Sequence, residues 1–181
     1  MLKIGQRPEH DFGEPLGLLS DCHRRIEHFL AVLATITGQV DGQALNAAQR
    51  SQFQSALTYF SVAAPKHIAD KEESVFPRLS VSEHPDAKAA LDIVRRLERD
   101  HDEANAHHHA VNELGQKWLV DDHLERGAVR ELRQHLDRLQ LLYRSHIAVE
   151  DYQLFPAAAR ILSATDLESI GHEMATRRSV R

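Results

Sequence analysis

His67-Ile68-Ala69-Asp70-Lys71-Glu72-Glu73-Ser74-Val75-Phe76-Pro77 aligns without a gap on His146-Ile147-Ala148-Val149-Glu150-Asp151-Tyr152-Gln153-Leu154-Phe155-Pro156, at an offset of 79 residues. Upstream, Asp21-Cys22-His23 matches Arg99-Asp100-His101 at an offset of 78, so twice a single His is followed 44 or 45 residues later by His-Ile-Ala and then Phe-Pro. Self-similarity at a fixed period marks a repeated structural unit. Each of the four histidines lies in a segment whose apolar residues recur every three or four positions, the spacing of an amphipathic helix. The chain therefore reads as two helical hairpins in tandem.

Outward from the repeat, the same periodicity covers nearly everything. Leu16, Leu19, Ile26, Phe29, Leu30 and Leu33 predict a first helix from Pro15 to Thr37, ended by Gly38. Phe53, Leu57, Phe60, Ile68, Val75 and Phe76 predict a second from about Asn46 to Leu79, kinked by Pro65, because proline removes a backbone hydrogen bond. Ser82-Glu83-His84-Pro85 is a start signal for a third helix reaching about Val120. Leu132, Leu136, Leu139, Leu142 and Leu154 carry a fourth from near Asp122 to Leu162, and a short helix from Thr165 is expected as a partial lid. The expected fold is all-α: an arm over 1–14, an up-down-up-down four-helix bundle over 15–162, and a short C-terminal helix and tail over 163–181.

Composition narrows the functions. The 181 residues suit one domain, 42% apolar and 27% charged like an ordinary globular protein. The net charge of −5 is interspersed, and without a basic stripe nucleic acid is not an expected partner. No unbroken apolar run suggests a signal or a membrane span, and the expected location is the cytoplasm. Cys22 is the sole cysteine, which excludes a Cys-rich zinc site and leaves nitrogen and oxygen as metal donors. Histidine, at 13 residues, is the abundant donor.

His23, His67, His101 and His146 fall at comparable heights on four antiparallel helices, and Glu150 lies one turn beyond His146 on the same face. Imidazole with carboxylate at that spacing suits a first-row transition metal, and a carboxylate can bridge two ions. A lone His on an amphipathic helix is ordinarily a surface or satisfied core group. Recurrence at near-constant spacing is what lifts these four above that reading. Phe76-Pro77 and Phe155-Pro156 read as core and helix-end devices. His10, His28, His84, His123, His135 and His172, without recurring partners, read as solvated, and Cys22 as packing.

The arrangement of two His per hairpin, with His-x-x-x-Glu and Phe-Pro after the second, resembles the hemerythrin-like, or HHE cation-binding, family over roughly 15–162. The resemblance implies a non-haem di-iron centre bridged by carboxylates and an oxo or hydroxo group, binding or sensing O2 or a related small molecule such as NO or peroxide. It implies His23, His67, His101, His146 and Glu150 as metal ligands. The family often has a fifth histidine, for which His108 is the candidate; His107 and His109 point elsewhere. Tyr143, three residues before His146, reads as an ordinary half-buried tyrosine or as a hydrogen-bond donor at the site. The rival functions are an iron-handling or di-iron-repair protein and a metal-dependent oxidoreductase. No nucleophile-and-base pair supports hydrolysis.

The first repeat departs from the family at Lys71, where a bridging carboxylate is expected. Asp70, Glu72 and Glu73 are the adjacent alternatives. On a regular helix Asp70 lies about 60° from His67 and the other two more than roughly 100° away. A π-bulge after Pro65 would turn Glu72 inward, which makes Glu72 the favoured substitute ligand. Otherwise Lys71 leaves one carboxylate bridge, or a single metal.

Overall fold

The structure, a computed structural model, describes residues 9–179; most of the N-terminal arm and the last two residues lie outside them. Four long helices and a shorter C-terminal one form it, with no strand among the described residues. They are α1 (Pro15–Val40), α2 (residues 47–80), α3 (Ala87–Asp121), α4 (residues 126–161) and α5 (Ala164–Arg177). The class is the all-α four-helix bundle with a C-terminal helix.

The helix ends differ from expectation by a few residues, for local reasons. Gly38 does not stop α1; the reversal comes at Asp41 and Gly42, with φ of 52° and 82°. A side chain at 42 would meet the Leu124 carbonyl oxygen at 2.2 Å, and that approach lets Leu124 N donate to Gly42 O at 2.8 Å. Asn46 and Gln49 form a capping box at the start of α2, and Ser163 and Asp166 one at the start of α5. Pro85 stands before α3, in a turn that Ser82 and His84 tie by accepting from the backbone N–H groups of His84 and Asp86. α4 starts at Arg126, four residues after the expected Asp122.

Three wide π turns interrupt the long helices: Tyr59–Ala63 and Asp70–Val75 in α2, and Glu150–Leu154 in α4. Each ends two residues before a proline, Pro65, Pro77 or Pro156. A proline ring in a regular helix collides with the carbonyl four residues back, here that of Ser61, Glu73 or Tyr152, and all three carbonyls lie inside a π turn. Widening the turn is one of the known ways a helix accommodates such a residue without ending. Phe76-Pro77 and Phe155-Pro156 are therefore not helix ends: α2 runs on to Ser80 and α4 to Ile161.

The chain divides into two compact units, and each of the four long helices contributes to both. One comprises residues up to Arg25, Pro65–Arg99 and everything from His146; its core includes Leu19, Val75, Leu79, Leu97, Leu154, Ile170 and Met174. α5 belongs to this core rather than lying over it as a lid. A Cβ at Gly171 would stand 1.9 Å from the Phe12 carbonyl oxygen, so the end of the N-terminal arm crosses α5 at that glycine. The other unit, Ile26–Ala64 with Asp100–Ser145, is packed around Leu33, Phe53, Leu57, Trp118, Leu132 and Leu136. There Trp118 buries its ring against Phe53 and donates from Nε1 to Gln43 O at 2.9 Å.

Candidate metal centre

Inside the first unit, α1 supplies His23, α2 supplies His67 and Lys71, and α4 supplies His146 and Glu150, all buried. The spacing of four places Lys71 one turn beyond His67 and Glu150 one turn beyond His146, each at the beginning of a π turn. The two equivalent residues meet: Lys71 Nζ donates to Glu150 Oε1 at 2.6 Å, with Lys71 1% and Glu150 0% exposed. His146 Nε2 lies 3.4 Å from the same oxygen, and His23 Nε2 lies 2.9 Å from Oε2.

Asp151 governs His23. Its Oδ1 lies 2.9 Å from His23 Nδ1 and accepts from Ser20 Oγ at 2.8 Å. An ionised carboxylate only accepts, so Nδ1 carries the hydrogen and the Nε2 lone pair of a neutral His23 is turned toward Glu150. Phe155, the aromatic of the second Phe-Pro, stacks on the His23 ring at 5.6 Å, while His67 meets it edge-on at 5.0 Å. Neither Asp151 nor Phe155 was singled out as a site residue from sequence. The signal available for Asp151 was its position beside Glu150 in the only repeat that keeps the carboxylate.

Electrostatics leave this cluster incomplete. Among the described residues four buried side-chain polar atoms lack a hydrogen-bond partner; one is Arg133 Nε, and the others are His23 Nε2, His67 Nδ1 and Glu150 Oε2. One donor atom from each of these three residues lies within 4.8 Å of the others. His23 Nε2 and Glu150 Oε2 are close without hydrogen-bond alignment, two electron-rich atoms face to face. A proton on His23 or a shared cation would relieve them. Burial opposes a charge on His23, but the Asp151 and Glu150 carboxylates raise its pKa. Burial, together with Lys71 and His23, holds His67 well below the usual imidazole range and therefore neutral, the form that binds metal. Burial would raise Glu150, yet Lys71 and the two histidines hold it well below the usual carboxylate range, and therefore ionised. The donors fit a transition-metal ion.

The carboxylates expected to replace the one missing at Lys71 are elsewhere. Glu72 is exposed. The wide turn begins only at Asp70, after the α-helical stretch Ala64–Ala69, and Lys71, not Glu72, stays on the inward face. The expectation for Glu72 is corrected on that ground. Asp70 is fully buried but accepts from Arg178 Nη1 and Nη2, at 3.1 and 2.5 Å, and from Arg177 Nη1 at 3.0 Å. Glu73, 66% exposed, accepts from Arg177 Nε at 3.1 Å. Burial pushes the neighbouring Cys22 thiol up, away from reactivity.

In the second unit His101 is half-buried on α3. His108 Nε2 is 2.9 Å from Tyr143 Oη, and its ring lies against Phe60 at 4.7 Å, so the candidate fifth histidine and the tyrosine engage each other. His107 and His135 are half-buried, and their Nδ1 atoms are 2.8 Å apart. His10, in the first unit, is 35% exposed at its side chain, with ring Nδ1 3.2 Å from Asp21 Oδ1.

Burial, helped by the charge of His107, lowers His108 to about 4. An unfolded chain binds this proton below about pH 6.5, so stability is lost as pH falls from there toward 4, by roughly 3 kcal/mol in all. His108→Gln keeps a donor and acceptor for Tyr143 but does not titrate. Denaturant titrations across that pH window should show a shallower acid limb for this variant; parallel limbs would exclude His108 as the source.

A helical bundle enclosing an ionised carboxylate and a neutral imidazole defines a cation-binding protein of the all-α class. The chain belongs to the hemerythrin HHE cation-binding domain family, whose profile matches residues 14–158. It is also similar to a Haemophilus influenzae protein described as uncharacterized, with 29% identity over 173 residues, 94% of this chain and 93% of that one. No helix among the described residues is long and apolar enough to cross a membrane.

Proposed function

We propose that this chain is an iron protein that binds or senses O2 or a related small molecule such as NO or peroxide, with His23, His67 and Glu150 as ligands. The observation that supports it is the trio of unpartnered buried atoms, His23 Nε2, His67 Nδ1 and Glu150 Oε2. Two imidazoles and one carboxylate are the donor set that suits non-haem ferrous iron and leaves coordination positions open to a small ligand. The protein's part is to hold the donors: Asp151 sets the His23 tautomer, Phe155 fixes its plane, and the leucine-rich core excludes bulk water. His146, beside Glu150, and His101, which holds the place of His23 in the second repeat, would be ligands only of a second ion. The di-iron form implied by the family requires a carboxylate at position 71, where this chain has lysine.

Anaerobic titration with ferrous iron, followed by exposure to O2, NO or peroxide, tests this reading. Iron uptake and a visible absorption change with at least one of the three are expected. His67→Ala should lose most of the iron, and Glu72→Ala should keep all of it. A folded protein that takes up no iron, or that is loaded and spectrally silent to all three, would refute the assignment. Rapid surrender of the iron to a chelator would instead favour an iron-handling role.

A further inference from the structure

Lys71 and Glu150 are the same position of the two repeats, 79 residues apart, and they are bonded to each other. Each follows its histidine by one turn, each stands at the start of a π turn, and each is buried. Where the family carries two carboxylates, this chain carries a cation and an anion in direct contact.

The contact divides the two oxygens of Glu150. Oε2 faces His23 and has no hydrogen-bond partner; Oε1 accepts from Lys71 Nζ and has His146 Nε2 beside it. His23 Nε2 thus lies unpartnered on the Oε2 side, and the Oε1 side already holds a positive group. Among the described residues the carboxylates next to the two repeat positions are turned elsewhere: Asp70 is held by Arg177 and Arg178, Glu72 is exposed, and Asp151 is committed to Ser20 and His23. Like charges repel strongly where water is excluded.

We infer that the Lys71 ammonium stands in for a second metal ion on Glu150 Oε1, so that the centre takes one ion per chain and is charge-balanced when that ion is absent. This rests on the iron reading above, since it concerns how many ions that site takes. Lys71 is a positioning and stoichiometry-setting residue, not a ligand. It holds Glu150 in place, and it closes the second position by charge.

The test is the iron content of purified wild-type protein and of Lys71→Glu, each loaded anaerobically with excess ferrous iron and then desalted. Wild type should retain about one iron per chain and Lys71→Glu about two, since the substitution restores the carboxylate of the second repeat. Two irons in wild type would overturn the inference while leaving the iron reading intact, and so would one iron in a folded Lys71→Glu. A wild type that takes up none would overturn both. Should Lys71→Glu fail to fold, Lys71→Gln still decides, because it keeps an N–H donor for Glu150 while removing the charge. Its single ferrous ion should bind at least tenfold more tightly than in wild type, and unchanged or weaker binding would overturn the inference.

Discussion

Glu150→Gln should lower the stability of the metal-free protein by about 3–5 kcal/mol, the usual cost of removing one partner of a buried ion pair. Lys71 would be left 1% exposed with a neutral amide in place of its carboxylate at 2.6 Å. At roughly 2–4 °C per kcal/mol for a chain of this size, the melting temperature should fall by about 6–20 °C. The loss belongs to the stranded ammonium rather than to the missing charge as such, because replacing both partners of a buried pair by apolar groups is often neutral. The double variant Lys71→Met, Glu150→Leu should accordingly recover most of the stability while remaining unable to hold iron. Chemical denaturation of wild type, Lys71→Met, Glu150→Leu and the double variant, followed by circular dichroism, closes the cycle. Additive losses would show that Lys71 and Glu150 are not energetically coupled.

Asp70→Asn should produce the second largest effect, about 2–4 kcal/mol, by weakening a group of charge-assisted hydrogen bonds from Arg177 and Arg178 to a fully buried carboxylate. The cost should be smaller than at Glu150 because the two arginine side chains are 19% and 22% exposed and regain some hydration. It should also be localised. Arg177 also donates to Ser74 Oγ at 2.8 Å, so the guanidinium groups tie the end of α5 to the π turn Asp70–Val75. Hydrogen exchange should accelerate over Ala164–Arg177 more than elsewhere in the first unit. Unchanged protection of α5 would refute this account of how the helix is held.

Much of the fold is legible because its determinants are short-range. Period-3.6 patterning locates all five helices to within a few residues, and the repeat marks out His23, His67, His146 and Glu150, which the structure gathers with Lys71 in one buried cluster. The prolines at 65, 77 and 156 also carried information about the wide turns, but a proline specifies only that a regular helix is impossible, not whether the chain will end, kink or widen. Reading Phe-Pro as a helix end followed from that ambiguity.

The choice of residue opposite Glu150 could not be made locally. Angle on an ideal helix separates Asp70, Lys71, Glu72 and Glu73 by only one residue's rotation each, and a one-residue difference in where the π turn begins exchanges them. Two distant segments bear on it: Arg177 and Arg178, more than a hundred residues away, hold Asp70, and Glu150 receives the lysine. The sequence by itself determined the helices, the duplication, and the histidines and single carboxylate that the duplication marks. Only the tertiary structure decided that Lys71 is buried on Glu150, that Glu72 faces solvent, and that Asp151 orients His23. These depend on which charges meet once water is excluded, and charge pairing over such sequence separations leaves no periodic trace in the chain.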